Sequence, residues 1–383
     1  MIVDRVFTPG LAQVAYLVAD EDAGVAAVVD PRRDVDAYLG WAASRNLRIA
    51  AILETHVHAD FVSGARELAA ATGAPIYASR LGNQEFPIRP LDDGDEIPIG
   101  SLQLRALWTP GHTPEHMSYL LIDPAQRPDP LALFSGDLLF VGEVGRPDLL
   151  GADHTQSLAE QLYETFARRL PGLPDDVVVY PGHTAGSSCG KKIGDAPQTT
   201  LGQERRFNYA LQPRALASQD AFIDAVMTGM PTPPTYYPTM KRVNKAGPTL
   251  LRDLPGGGPL SPADVEQKMT AGALVVDARS TEAFARAHIA GSFFAGADPD
   301  FVNWAGWLAP YDRELILVLA DDARYAAALT ELRRIGLDAV AGYLAGGVAA
   351  WQASGRPVVT IPTITVDNLR ARLTQPGGPV VLD

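Results

Sequence analysis

Four apolar runs in the first half of the chain each end in a short loop carrying histidine or aspartate, and that recurrence constrains the fold more than any other feature. The run at 49–53 leads into Thr55-His56-Val57-His58-Ala59-Asp60, and the run at 102–108 into Thr109-Pro-Gly-His112-Thr-Pro-Glu-His116. The run at 131–135 leads into Gly136-Asp137, and that at 177–180 into Pro181-Gly-His183. Short apolar runs bounded by turn residues read as buried strands. Loops that all follow strands can gather their side chains on one sheet edge. His56 and His58, two residues apart at a strand end, can point to one side, and neutral imidazole is the commonest metal-donating side chain. Asp60 adds a carboxylate. Phe61, where a longer form of the pattern would carry another histidine, adds no donor.

The rest of the chain narrows the setting. Its 383 residues suffice for two or three domains and a sizeable core. A formal charge of -13 with no basic stripe argues against nucleic acid or an anionic membrane as the main partner. One cysteine, Cys189, rules out an intrachain disulfide. The N-terminus lacks a basic segment followed by an apolar one, and no window approaches the roughly 18 apolar residues of a membrane span. A cytoplasmic protein is expected, and base rates favour a homo-oligomer.

Local patterns predict strands at 12–19 and 24–30, joined by a Glu21-Asp22-Ala23-Gly24 hairpin signal, and a helix over 34–46. A second helix is expected over 63–72, with Ser63 as its N-cap and Gly73 as its stop. Short strands follow at 75–78, 95–98, 102–108, 118–122 and 131–135, then a long helix over 154–170 and a strand at 177–180. Residues 207–250 read as irregular, and Pro255-Gly-Gly-Gly-Pro259 as the clearest linker. Beyond it, a helix from Ser261, strands at 273–277 and 315–319, a helix over 325–335 and a strand from Ala339 suggest a parallel sheet covered by helices. Thr365-Val-Asp367 and Pro379-Val-Val-Leu-Asp383 repeat the opening of this unit, so residues 362–383 are expected to begin a second, truncated copy.

The donor set admits two metal sites. His56, His58 and His112 would suit tetrahedral zinc with water in the fourth position. His56, His112 and Asp137 form two histidines and one carboxylate, the facial triad of non-haem Fe(II) oxygenases. Spacing does not choose between them.

The four loops, in this order, resemble the metallo-β-lactamase superfamily, a four-layered αββα sandwich with its metals at one sheet edge, across residues 1–250. The superfamily's dinuclear hydrolases need a second site that here would lack a nitrogen at Phe61, so one metal is expected. At finer grain, Thr-His-Val-His-Ala-Asp-Phe-Val-Ser-Gly, Val144-Gly-Arg-Pro-Asp148-Leu-Leu and Pro181-Gly-His-Thr-Ala-Gly-Ser-Ser-Cys189-Gly-Lys-Lys resemble the persulfide dioxygenase branch that is fused to rhodanese domains. That resemblance implies one Fe(II) per chain, held by His56, His112 and Asp137. His58, Asp60 and His183 would then orient the ligands and exchange protons. It further implies a persulfide of glutathione or coenzyme A as substrate, with both atoms of O₂ passing to the terminal sulfur to give sulfite and thiol, as in sulfide detoxification. The alternative is a zinc thioester hydrolase of glyoxalase II type.

Cys189 has two readings. It is a small buried hydrophobe, or it lies near the iron and contacts or receives substrate sulfur, with Lys191 and Lys192 lowering its pKa. Tyr180 and Arg205 are further candidates for substrate positioning, and Arg146 with Asp148 reads equally as a structural ion pair.

Residues 260–358 resemble a rhodanese domain through Val275-Val-Asp277-Ala-Arg279, Glu282-Ala-Phe284, His288-Ile-Ala-Gly-Ser292 and Gly346-Gly347…Trp351. Active members carry cysteine in the loop after the 315–319 strand. Here that loop reads Ala320-Asp-Asp-Ala-Arg324, so an inactive module is expected, with His288 structural.

Overall fold

The computed structural model of the chain describes residues 1–296 and 301–382. It divides into two units, one of Met1–Leu254 with Thr330–Asp338 and one of Pro255–Leu329 with Ala339–Asp383.

In the first unit, strands β1 (Ile2–Thr8), β2 (Gln13–Asp20) and β3 (Val25–Val29) precede α1 (Asp36–Ser44), β4 (Arg48–Leu53) and α2 (Ala65–Thr72). Then come β5 (Ile76–Ser79), β6 (Arg89–Leu91), β7 (Glu96–Ile99), β8 (Leu102–Trp108), β9 (Met117–Ile122) and β10 (Ala132–Gly136). Helix α3 (Ala152–Glu164), β11 (Val178–Pro181), β12 (Thr199–Thr200), α4 (Leu201–Phe207), α5 (Gln219–Met227) and α6 (Tyr237–Ala246) complete it. The strands form two six-stranded sheets, β1-β2-β3-β4-β5-β6 and β12-β11-β10-β9-β8-β7.

Three apolar layers separate the elements, and strand periodicity explains why. On β2, Val14, Tyr16 and Val18 face the core between the sheets, packing with Leu104 and Ala106 of β8, Tyr119 of β9 and Phe134 of β10. The alternate residues Ala15, Leu17 and Ala19 face α1 and α2 through Tyr38, Ala42, Ala65 and Leu68. In the other sheet, Leu120 and Leu133 face the opposite way, toward Leu162 of α3 and Phe222 and Val226 of α5. Both faces of both sheets are therefore covered, which gives the αββα sandwich and accounts for strands that read as continuous apolar runs.

Several local expectations are corrected. The N-cap of α2 is Gly64, with no side-chain cap; Ser63 instead donates its hydroxyl to Glu54 at 2.8 Å. Gly73 does end that helix, at φ 74°. The long helix starts at Ala152, and its last turn, Thr165–Arg169, widens into a π-helix. Residues 207–250 are more ordered than their Pro-rich composition suggested, because Ser218 caps α5 and Pro238 occupies the first turn of α6, where a missing N–H is harmless.

The second unit contains β13 (Gly258–Leu260), α7 (Pro262–Thr270), β14 (Leu274–Asp277), α8 (Thr281–Arg286), β15 (Phe293–Phe294), α9 (Phe301–Leu308), β16 (Leu315–Val318), α10 (Tyr325–Arg334), β17 (Val340–Leu344) and α11 (Gly347–Ala353). Helix α10 contributes its Thr330–Arg334 end to the first unit. The strands form a sheet ordered β13-β17-β16-β14-β15, in which every pair is parallel. The α/β reading of this unit holds. A helix α12 (Val366–Leu373) follows, but residues 379–382 form no strand, and Val380 and Leu382 are exposed.

Candidate metal centre

Strands β4, β8, β10 and β11 bring their loops to one place. His56 Nε2 lies 4.0 Å and His112 Nε2 3.5 Å from the same oxygen, Asp137 Oδ2. One donor atom from each residue falls within 4.8 Å of the other two, and all three side chains are buried. These three atoms also lack any hydrogen-bond partner. Buried polar atoms are almost always paired, so three bare ones converging on one point fit a cation.

The remaining ring atoms fix the tautomers. His112 Nδ1–H donates to the Arg146 carbonyl at 2.9 Å. Thr55 Oγ1 donates to Asp30 Oδ2 at 2.8 Å and so accepts from His56 Nδ1–H at 2.9 Å. Both Nε2 lone pairs therefore face Asp137. Burial first, then the charges of His58 for His56 and of Lys241 for His112, hold both imidazoles well below their ordinary range. They are neutral and available as ligands. Burial raises the Asp137 carboxyl to about 6, as expected of a carboxylate waiting for a cation.

His58 is turned elsewhere. Its Nε2 sits 3.1 Å from Asp30 Oδ1 and 4.0 Å from Glu54 Oε2. Burial alone would lower its pKa, but the Asp30, Glu54 and Asp60 carboxylates outweigh it and raise it to about 10. The third imidazole of a zinc-type His₃ set is thus turned away, toward Asp30 and Glu54.

A second cluster adjoins the first. His183 Nδ1–H donates to the Ala12 carbonyl at 3.2 Å, while Nε2 faces Asp60 Oδ2 at 3.3 Å and Asp137 Oδ1 at 3.5 Å. Cys189 joins Asp60 and His183 within 4.8 Å, its sulfur 3.9 Å from the Tyr237 hydroxyl. Burial and then the Asp137 and Asp60 carboxylates push the Cys189 thiol well above its usual range.

The expected influence of Lys191 and Lys192 on that thiol is overturned. Lys191 donates to the Ala225 and Thr228 carbonyls and stacks over the Tyr209 ring, and Lys192 gives its backbone N–H to Glu143. Nor do Tyr180 and Arg205 reach the cluster. Tyr180 stacks on Phe134 at 5.3 Å in the core between the sheets. Arg205 binds Asp175 and the carbonyls of Leu170 and Leu173. Arg146 and Asp148 do form an ion pair, at 2.7 Å. The fully buried guanidinium also takes the carbonyls of Ser188 and Pro231, so it braces the Cys189 loop while its own carbonyl orients His112.

Sequence reasoning passed over His116 as a functional residue. Its Nε2 accepts the Asp137 backbone N–H at 3.1 Å, and its Nδ1–H donates to Thr109 Oγ1 at 2.9 Å. Burial holds this imidazole down at about 3, so it stays a neutral acceptor. The spacing His112…His116 was the available signal. Gly136, at φ 49°, lets the chain pass this point, where a Cβ would come within 2.7 Å of Thr55 Oγ1 and 2.8 Å of His116 Nε2.

In the second unit, the loop after β16 carries no cysteine, and its acids occupy the backbone donors. Asp321 Oδ1 accepts from Ala323 N at 2.9 Å, and Asp322 Oδ2 from Gly346 N at 3.1 Å. A cavity lined by Arg279, Ala320 and both aspartates remains. His288 is structural, donating Nδ1–H to the Phe284 carbonyl and stacking on that ring at 4.0 Å.

Residues 8–183 match the metallo-beta-lactamase superfamily, and residues 261–354 match the rhodanese-like domain. A hydroxyacylglutathione hydrolase from Polaromonas sp. is 37% identical over 187 residues, covering 48% of this chain and 66% of its own length. A metallo-beta-lactamase structure from Staphylococcus aureus subsp. aureus COL superposes with TM-score 0.79 at 34% identity, covering 90% of this chain and 98% of that one. The structure of ETHE1 from Myxococcus xanthus gives TM-score 0.54 at 30% identity, covering 64% of this chain and 99% of that one. No helix among the described residues is long and apolar enough to cross a membrane. The fold, the donor-bearing loops and these matches agree: the chain belongs to the metallo-β-lactamase superfamily, with a metal-binding His/Asp site in its first unit and a rhodanese-like domain behind it.

Proposed function

We propose that the chain is a persulfide dioxygenase using one Fe(II) held by His56, His112 and Asp137. The observation that carries this reading is the position of His58. Paired with Asp30 and Glu54, it leaves two imidazoles and one carboxylate, the facial triad of non-haem iron oxygenases. The resemblance of the 55–64 and 181–192 motifs to the persulfide dioxygenase branch supports the same assignment.

The reaction balances as R–S–S⁻ + O₂ + H₂O giving R–SH, SO₃²⁻ and H⁺. Bound Fe(II) would supply the one-electron chemistry that lets O₂ react with a closed-shell sulfur. The chain's own residues do the rest. Thr55 and the Arg146 carbonyl hold the two ligand imidazoles in the donating tautomer. His116 fixes the Asp137 backbone. His183 and Asp60, 3.3 Å apart and facing Asp137, are placed to hold the proton that the hydrolytic step releases. The buried Cys189 thiol, beside Asp60 and His183, is placed to meet the substrate sulfur.

The experiment is metal analysis of anaerobically purified protein, combined with O₂ uptake on glutathione persulfide and coenzyme A persulfide. Iron near one per chain, with sulfite formed in proportion to O₂, supports the proposal. A zinc thioester hydrolase is the second reading, favoured by the 37% identity to a hydroxyacylglutathione hydrolase. Zinc with thioester cleavage and no O₂ uptake would establish it instead.

A further inference from the structure

The fold builds a second convergence of donors beside the first, and Asp137 belongs to both. While Asp137 Oδ2 faces His56 and His112, its other oxygen, Oδ1, faces His183 Nε2 at 3.5 Å. Asp60 Oδ2 approaches the same nitrogen at 3.3 Å, and one donor atom from each of Asp60, His183 and Cys189 falls within 4.8 Å of the other two. All four side chains are buried, Cys189 to 1% exposure. Gly182 leaves room for the cluster: a Cβ there would sit 2.8 Å from Asp137 Oδ1.

Here lone pairs face lone pairs. His183 gives its Nδ1–H to the Ala12 carbonyl, so the neutral ring turns an unprotonated Nε2 toward two carboxylate oxygens. Both Asp60 oxygens lack any hydrogen-bond partner. One proton on Nε2 would serve one carboxylate and leave the other bare. A divalent cation serves all of them at once. Metal bonds of about 2.0–2.3 Å place tetrahedral donors roughly 3.3–3.8 Å apart. The two separations around His183 Nε2, 3.3 and 3.5 Å, fall in that range.

Residue 61 supplies no donor to this cluster. The Phe61 ring packs on His58 at 4.4 Å, and Asn244 of α6 holds the Phe61 carbonyl at 2.7 Å and that of His58 at 2.9 Å. The third donor comes from another loop. Cys189 N–H donates to Ser187 Oγ at 3.1 Å, its carbonyl accepts from Arg146 N at 3.3 Å, and the Arg146 guanidinium takes the Ser188 carbonyl at 3.0 Å. These bonds fix the sulfur, with the Tyr237 hydroxyl 3.9 Å away to donate to a thiolate.

We propose that Asp60, His183 and Cys189, with Asp137 Oδ1 as a bridging fourth donor, form a second metal site selective for a thiophilic divalent cation such as Zn²⁺ or Cd²⁺. Cys189 thus supplies, from a distant loop, the ligand that Phe61 cannot. Sulfur sets the preference: a thiolate favours a soft ion over Fe(II), and the His56–His112–Asp137 set contains no sulfur. Binding forms a metal–sulfur bond and releases the thiol proton to solvent, with no change of oxidation state. Four protein donors close a tetrahedral shell, so the ion keeps no position for substrate. Its occupancy takes Asp60, His183 and Cys189 out of the proton and sulfur roles assigned above. That inhibitory consequence rests on the dioxygenase reading, and the site itself does not.

The test titrates the full-length, iron-loaded protein with Cd²⁺, anaerobically and without added thiol, and follows thiolate-to-cadmium charge-transfer absorption in the ultraviolet. Cys189 is the chain's one cysteine, so the band has a single source. The wild type should saturate at one Cd²⁺ per chain and keep its iron. Cys189→Ser should lose the band. Asp60→Asn and His183→Gln, which retain the thiol, should each bind Cd²⁺ at least about tenfold more weakly. Thermal midpoints verify that every variant is folded. An unchanged band and Cd²⁺ affinity in folded Asp60→Asn and His183→Gln would mean that the thiol binds alone, and would overturn the site. Loss of iron with no band overturns it too, because the ion has then entered the His56–His112–Asp137 set. The band in a protein that oxidises no persulfide leaves the site standing and removes the dioxygenase reading.

Discussion

Both halves of the chain end a strand in an acid-bearing loop, and the acids are used in opposite ways. In the metal edge of the first unit, Asp137 Oδ2 and both Asp60 oxygens are buried and hydrogen-bond to nothing. In the rhodanese-like loop, Asp321 and Asp322 each take a backbone N–H, from Ala323 and Gly346. A bare buried carboxylate is a standing demand for a cation or a proton, whereas a saturated one is part of the scaffold. In that loop Asp321 takes the N–H of Ala323, and Asp322 reaches out to the N–H of Gly346 after β17. The comparison thus separates chemistry from architecture by counting partners, not by residue type.

The strongest way to break it is to remove a bare acid. Asp137→Ala should abolish metal binding and lower O₂ uptake by roughly 10³-fold or more, since a metal ion supplies several kcal/mol of stabilisation. Asp322→Ala should leave both iron content and uptake within about twofold. Equal losses in the two variants, by metal analysis and an oxygen electrode, would end the distinction.

His58 tests where the metal stops. His58→Ala should retain iron, because the ring belongs to Asp30 and Glu54, but should lose stability by about 3–5 kcal/mol in denaturant titrations, since it strands a buried charge. The folded pKa, raised from 6.5 to about 10, sets the pH dependence. The pair's contribution is complete below about 6.5 and is lost as pH rises through about 10, so the gap between variant and wild type should narrow over that window. Loss of metal in His58→Ala would favour the three-histidine zinc site.

Two substitutions give intermediate effects. His116→Phe removes the acceptor of the Asp137 N–H and should weaken metal binding by about 10–100-fold without changing its stoichiometry. Phe61→His places an imidazole where the Phe61 ring now packs on His58 at 4.4 Å, and bound iron should rise from one to two per chain in equilibrium dialysis.

The sandwich was legible because the central strands of its two sheets carry apolar residues on both faces and end in turn chemistry, as β2 and β10 show. The cluster of His56, His112 and Asp137 was legible because each donor follows its own strand. The contribution of α6 was not. Its Pro238 and flanking prolines read as loop, and the roles of Tyr237 and Asn244 arise from contacts with residues 58–63 and 189, far away in sequence. Lys191 failed for the complementary reason. Being two residues from Cys189 suggested a shared environment, yet its ammonium leaves toward the Ala225 and Thr228 carbonyls. Sequence neighbourhood predicts backbone position well and side-chain company poorly.

The smallest expected effect checks the saturated side of the comparison within the first unit itself. Asp20 accepts Ser101 N at 2.7 Å, Ser101 Oγ at 2.7 Å and Ala23 N at 3.1 Å, so it has the full set of partners that Asp137 lacks. The Ser101 backbone bond, then its hydroxyl and the Ala23 N–H, hold this carboxyl at about 2, below its usual 3.8. A depressed folded pKa means that the stabilisation is present above about 3.8 and lost as pH falls through about 2. Asp20→Asn should therefore melt lower than wild type at neutral pH, converge with it toward pH 2, and bind iron like the wild type at neutral pH. A change in iron content would mean that even a saturated acid remote from the cluster tunes the metal, and partner counting would no longer separate the two kinds of carboxylate.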